Sequence, residues 1–274
     1  MTKRENPRRR EREFNKFQEK SNRGFRKKDE NQSFKRETRI VAPAKETNID
    51  AIREDLILGR NAVIEALKSD RTIECLYVSK GDLEGSIKVA LGLAKDKGIV
   101  VKEADRRKLD TMCEGLNHQG IVAKVTPFKY CEVNDILEVA EKKGEKPFIV
   151  ILDEIEDPHN LGSIIRTADA VGAHGVIIPK RRSVHITPVV AKASAGAVEY
   201  VPVCKVTNIV NTIKKLKGEG LWIAAADMDG QTFYEQNLTG ALGLVIGSEG
   251  FGISRLVKQN CDFTVKMPMI GNVT

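Results

Sequence analysis

Four short runs, PFIVILDEI (147–155), GVIIP (175–179), LWIAAAD (221–227) and LGLVIG (242–247), stay apolar at both odd and even positions. A strand built from such a run must be covered on both faces, which is the condition of a buried parallel sheet. Between the runs lie LGSIIRTADAV, PVVAKASAGAV and TNIVNTIKKLK, each with helical spacing of apolar residues. In the middle segment, Thr187 followed by Pro188 predicts an N-cap with proline at the first helical position. Strands alternating with helices predict a mostly parallel α/β sheet wrapped by helices. Such sheets bind ligands beyond the carboxyl ends of their strands, so the loops after 147–155 and 242–247 are the places to look for a site.

A smaller α/β unit precedes this one. GRNAVIEALKS (59–69) sets Ala62, Val63, Ala66 and Leu67 on one helical stripe, IECLYVS (73–79) alternates as a strand, and GSIKVALGLAKDKG (85–98) returns to helix, closed by Gly98 at a C′ position. IVVKEA (99–104) and GIVAKVT (120–126) read as strands, with Asp105 placed to cap a helix over RRKLDTMCE. The expected boundaries are a tail at 1–53, a small α/β domain at 54–128, a linker at 129–146 carrying the amphipathic helix VNDILEVAEKK, and a larger domain from 147 to 274.

Charge is unevenly placed. Residues 1–50 hold 16 Lys/Arg against 9 Asp/Glu, which accounts for the whole net charge of +7. A segment this polar cannot bury enough apolar area to offset its ordering entropy, so a disordered basic tail is expected. It suits either a phosphate-binding arm or a solubilising segment, and Phe14, Phe17, Phe25 and Phe34, which could stack on bases, favour the arm. The five cysteines are scattered, odd in number and never closer than 18 residues, which excludes a disulfide framework and a Cys-x-x-Cys metal site. The opening MTKRENPRRR lacks the apolar core of a secretory signal, and no run is long enough to span a bilayer. A cytoplasmic protein without membrane contact is expected.

The first strand-end loop reads DEIEDPHN, with Asn160 suited to cap the helix that follows. On a helical projection Ile164, Ala168, Val171 and Gly172 share one face, leaving Arg166 opposite, where a bound polyanion could meet its guanidinium. His159 and Glu156 fit turn or capping roles as well as chemical ones. The second loop, GSEGFG (247–252), spaces its glycines as G-x-x-G-x-G, unlike the dinucleotide fingerprint. Close approach of backbone to a flat ligand and a plain tight turn both remain open for it. No P-loop, nucleophile elbow or metal-spaced cluster occurs, so no metal is expected.

These two loops, followed by VKMPMIGNVT (265–274), resemble in order and spacing the three signature motifs of the SpoU (TrmH) methyltransferases. The first motif is matched by Asp157, Pro158, Asn160, Gly162, Arg166, Thr167 and Ala168, and the second by Gly247 to Gly252. GRNAVIEAL (59–67) and NHQGIVA (117–123) are similar to the substrate-binding domain of the subgroup that methylates a guanosine of large-subunit ribosomal RNA. The resemblance implies a SPOUT-type α/β fold with a C-terminal trefoil knot, a homodimer, and S-adenosylmethionine as methyl donor to a ribose 2′-hydroxyl of 23S ribosomal RNA. Carried over by position, Asn160, Arg166 and Glu249 are the expected catalytic or substrate-contacting residues, and Ile246, Gly247, Met267, Met269 and Gly271 the cofactor-binding ones. In the family the third motif continues with Ser-Leu-Asn and a final helix, whereas this sequence stops at Thr274. A C-terminally truncated domain with an incomplete knot is therefore expected. Two alternatives stand beside this reading: a non-catalytic RNA-binding or ribosome-assembly protein, and a nicotinamide oxidoreductase, which needs a glycine spacing that is absent.

Overall fold

A computed structural model describes residues 54–81 and 84–271; the tail expected at 1–53 lies outside them. The described residues form two sheets. The first half contains β1 (Leu56–Leu58), α1 (Arg60–Lys68), β2 (Ile73–Ser79), α2 (Ser86–Asp96), β3 (Val100–Ala104), α3 (Arg106–Met112) and β4 (Ile121–Val125), with strand order β1-β4-β2-β3. Alternation on β4 divides its core: Ile121, Ala123 and Val125 pack with α1 and α2, while Val122 packs on the other side with Leu109 of α3.

The second half begins after α4 (Val133–Lys143). It contains β5 (Phe148–Asp153), α5 (Pro158–Ala170), β6 (Gly175–Pro179), α6 (Pro188–Ala193), a 3-10 turn (Ala197–Glu199), β7 (Val203–Val206), α7 (Ile209–Gly218), β8 (Trp222–Thr232), β9 (Leu242–Gly247), α8 (Arg255–Asn260) and β10 (Phe263–Lys266). The strand order is β10-β8-β9-β5-β6-β7, and every neighbouring pair is parallel. On β5, Ile149 and Ile151 enter a core shared with α4 and α7, whereas Val150 and Leu152 enter one shared with α5 and α6. Both parities are buried, which is why the sequence could carry no polar alternation there.

Several expectations need correcting. Asn160 does not cap α5. Asp157 does, its Oδ1 accepting the backbone N–H of His159 at 2.6 Å with Pro158 in the first turn. The buried face of α5 is Leu161, Ile165 and Ala168, whereas Val171 is exposed. The segment PVVAKASAGAV is not one helix, because Ala195 and Gly196 take left-handed backbone angles (φ 53° and 94°) and end α6 before the 3-10 turn. Thr187 caps α6 as expected, accepting from the N–H of Val190. Asp105 begins α3 but makes no capping bond; its carboxylate pairs with Lys80 at 3.3 Å. β1 and β10 are too short and too dependent on their partners to have been read from periodicity.

The two halves meet along α1, α6 and the 3-10 turn. Tyr200 Oη donates to Glu65 Oε2 at 2.8 Å, and Lys192 Nζ donates to the carbonyl of Asn117 at 2.6 Å. Arg71 and Glu199 face each other at 3.9 Å with both side chains largely buried; burial raises the Glu199 pKa, and the nearby guanidinium opposes the rise. Gly196 is packed so closely on α1 that a Cβ there would lie 2.5 Å from that of Glu65. The turn 117–120 is tied to α1 as well, since Gln119 Oε1 accepts from the N–H of Arg60 at 3.0 Å and takes the place of a missing N-cap side chain at Gly59.

Candidate active site

Because the large sheet is parallel, the loops after β5 and β9 leave from the same end. Asp153 and Gly247 are register partners there, so the two loops start side by side. Between them lies a cleft of about 260 Å³ lined by Glu154, Ile155, Glu156, Asp157 and Asn160 from one loop and by Ser248, Glu249, Gly250 and Phe251 from the other. Asn160 Nδ2 donates to Glu249 Oε2 at 3.2 Å across 89 residues of sequence. The Asp157–Pro158 helix start fixes Asn160 in the first turn of α5, where its amide reaches over the cleft.

The second loop is held from below and closed at its base. Asp153, buried at the end of β5, accepts the N–H of Ser254 on Oδ2 at 2.7 Å. Ser248 and Gly252 exchange backbone bonds of 3.0 and 2.9 Å. Gly247 lies directly under this closure: a Cβ on it would come within 2.1 Å of the Gly252 carbonyl carbon, so only glycine fits. The tip stays open, with Phe251 96% exposed. On the opposite rim Glu154 takes a left-handed φ of 58°, and its carboxylate is paired with Arg182 at 3.2 Å.

The other expected site residues do not share this cleft. Ile246 is partly buried and turns its side chain into the core beside α5 and α6, which leaves its backbone for any contact at the strand end. Met267, Met269 and Gly271 follow β10, two strands away from β9 but at the same end of the sheet. Met267 and Met269 are exposed, as is the neighbouring Ile270. Arg166, exposed on α5, lines a separate pocket of about 280 Å³ with Asn61, Glu65, Asp169, Ser194, Ala195, Ala197 and Tyr200. Asn160 and Arg166 are six residues apart, about 9 Å along the helix axis, and point to different sides. Within this chain the structure therefore joins Asn160 to Glu249 and leaves Arg166 apart. Glu156 does line the cleft, while His159 contributes its backbone to the helix cap.

Chemically the cleft is acidic: Glu154, Glu156, Asp157 and Glu249 all face it. Such a lining favours a cation and repels bare phosphate. Among the described residues no group of three or more His, Cys, Asp or Glu side chains could hold a metal ion. Sequence reasoning passed over Asp153 and Phe251 in this region and Asn61, Asp169 and Tyr200 in the second pocket. The run LDEIED could have signalled an acidic rim, but nothing local in the sequence shows that α1 meets α5.

Residues 147–274 match the model of the SpoU rRNA methylase family, and residues 56–131 match that of the RNA 2′-O ribose methyltransferase substrate-binding domain. The Bacillus subtilis protein YacO, assigned by name to the TrmH family of tRNA/rRNA methyltransferases, is 50% identical over 224 residues, 81% of this chain and 89% of its own. A Staphylococcus haemolyticus protein with the same family assignment is 46% identical over 222 residues, 80% of this chain and 89% of its own. Among solved structures, the SpoU methyltransferase AviRb from Streptomyces viridochromogenes, crystallised with AdoMet, superposes with a TM-score of 0.63 at 22% identity, covering 80% of this chain and 82% of that one.

Proposed function

Because this chain belongs to the SpoU (TrmH) family of RNA methyltransferases, we propose that it transfers the methyl group of S-adenosylmethionine to the ribose 2′-hydroxyl of a guanosine in 23S ribosomal RNA. The observation that carries this reading is the Asn160–Glu249 contact, which brings two residues of separate motifs to the rim of one strand-end cleft.

The residues present fit the donor. Its sulfonium cation suits the carboxylates around the cleft, and the exposed Met267, Met269 and Ile270 offer apolar surface for an adenine ring at the same end of the sheet. When bound, the donor supplies an electrophilic methyl group. Glu249 would balance the positive charge, Asn160 would hold the Glu249 carboxylate in place, and the backbone at Ile246 and Gly247 would meet the flat ring.

A ribose hydroxyl attacks poorly until its proton is drawn off or its developing charge is stabilised. Arg166 is a poor base, since a guanidinium keeps its proton at any ordinary pH. It is better suited to gripping a phosphate of the target strand and holding the nucleotide so that its 2′-oxygen reaches the cleft. Its separation from Asn160 along α5 matches that division of labour, because a nucleotide is long enough to bridge the interval. The exposed apolar side chains at the sheet end, Phe251, Leu256, Met267 and Ile270, also suit pairing with a second copy of the chain. Cytoplasmic residence and the basic tail as an RNA-binding arm complete the proposal.

The deciding experiment maps 2′-O-methyl marks across ribosomal RNA from cells with and without the gene. Loss of one guanosine mark on deletion, restored by the gene, is the expected result. An unchanged map of 23S ribosomal RNA would overturn the substrate, and failure to bind S-adenosylmethionine in calorimetry would instead favour a non-catalytic RNA-binding protein.

A further inference from the structure

The pocket that holds Arg166 is built by both halves of the molecule: α5 contributes Arg166 and Asp169, α1 contributes Asn61 and Glu65, and the segment after α6 contributes Ser194, Ala195, Ala197 and Tyr200. Its polar groups fall into two classes. Glu65 is already engaged, accepting from Lys68 at 2.9 Å and from Tyr200 at 2.8 Å. Asn61, Arg166 and Asp169 are exposed, and their side chains make no hydrogen bond or ion pair among the described residues. Tyr200, its hydroxyl anchored on Glu65, is 48% exposed and presents ring surface to the same space. An anchored aromatic ring, an unpaired carboxylate, an unpaired amide and an unpaired guanidinium around about 280 Å³ match the needs of a single nucleotide.

We propose that this junction pocket reads a guanine base, with Asp169 as the specificity-determining residue. Guanine alone among the four RNA bases offers two adjacent donors on its Watson–Crick edge, N1–H and the 2-amino group. A carboxylate accepts both together, as the Asp169 side chain can, while the Asn61 amide donates to O6 and the ring stacks on Tyr200. Adenine has no second donor beside its amino group, so Asp169 would face its unprotonated N1 unpaired. Arg166, one helical turn before Asp169, remains free to hold a phosphate of the same strand. The position of Asn61 is set by the Gln119–Arg60 bond, which links the two front-half motifs GRNAVIEAL and NHQGIVA to this pocket.

The inference rests on the guanosine reading given above but is testable without methyl transfer. The full chain is titrated with guanosine, inosine and adenosine 5′-monophosphates by nuclear magnetic resonance. Inosine lacks only the 2-amino group. Guanosine monophosphate binding about tenfold or more tightly than the inosine nucleotide is the expected result, with Asp169→Asn bringing the two together and weakening the inosine nucleotide, which keeps only the N1–H bond, less than the guanosine one. Tyr200→Leu should weaken all three alike. Equal binding of guanosine and inosine nucleotides by the wild type, or a preference that survives Asp169→Asn, overturns the proposal. An active methyltransferase could fail this test and an inactive chain could pass it, so the two readings fall separately.

Discussion

The two ends of α5 serve unlike surroundings. Its N-terminal turn looks into a cleft made wholly from strand-end loops of the large sheet, acidic on its rim and crowded with backbone at its base. Its later turns look into a pocket that exists only because the small half docks on the large one, and there Tyr200 is tied to Glu65 while the side chains of Asn61, Arg166 and Asp169 stand unpaired. A site formed by one sheet can bind its ligand whatever the rest of the molecule does, whereas a site formed at a junction responds to how the halves are joined. Under the proposed function the methyl donor belongs to the first and the RNA nucleotide to the second.

The strongest way to break that division is Arg166→Ala. Removing one positioned cation should cost turnover about 100- to 1000-fold while calorimetry finds S-adenosylmethionine affinity within a few-fold of wild type. A collapse of donor affinity would merge the two regions into one site. Gly247→Ala attacks the other side. With no room for a Cβ above Gly252, the turn must shift, at a cost of about 1–3 kcal/mol, read as a lower melting temperature and weakened donor binding, with nucleotide titration at the junction unaffected. Glu249→Gln should act more gently: it removes the charge but keeps an acceptor for Asn160, so donor affinity should fall about two- to fivefold, roughly what one exposed charge contributes. Donor affinity unchanged by Glu249→Gln would remove the carboxylate rim from the account.

How much of this was legible in the sequence depended on whether the signal was local. Helix α4 falls on the residues its periodicity named, and strands β6 and β9 on the apolar runs read for them, because each signal lies within the element itself. Gly98 closes α2 with a φ of 66°, as its place after the last apolar residue required. Asn160 was expected at the site through its motif, but its bond to Glu249, 89 residues away, was not legible, since it depends on β5 and β9 lying in register. Arg166 was placed off the core correctly, and yet its pocket was invisible, because part of its wall, Asn61 and Glu65, comes from a helix about 100 residues earlier in the chain. The break at Ala195–Gly196 was missed for a related reason: Gly196 is the one residue after Pro188 in PVVAKASAGAV that strongly disfavours a helix, and only the close contact with Glu65 shows why the chain turns left-handed there.

The smallest expected effect tests the joint itself. Burial works to raise the pKa of Glu65, but hydrogen bonds from Lys68 and Tyr200 outweigh it and hold the carboxyl below its ordinary 4.5. Desolvation and the same bond push the Tyr200 phenol up to about 12. A carboxylate with a lowered pKa stabilises the folded state fully above its unfolded value and loses that contribution as pH falls through the folded one; a phenol with a raised pKa contributes below its unfolded value and loses it as pH rises through the folded one. The tie should therefore be constant across neutral pH and fail in acid below about 4. Tyr200→Phe keeps the ring but removes the donor, so it should cost about 1 kcal/mol or less near pH 7, the bond being partly open to water. In urea titrations that difference should shrink towards zero as Glu65 is protonated. A difference that stayed the same down to pH 3 would mean that Tyr200 supports the junction through ring packing alone, and the pocket would then owe its shape to Gly196 against α1 rather than to the Glu65 bond.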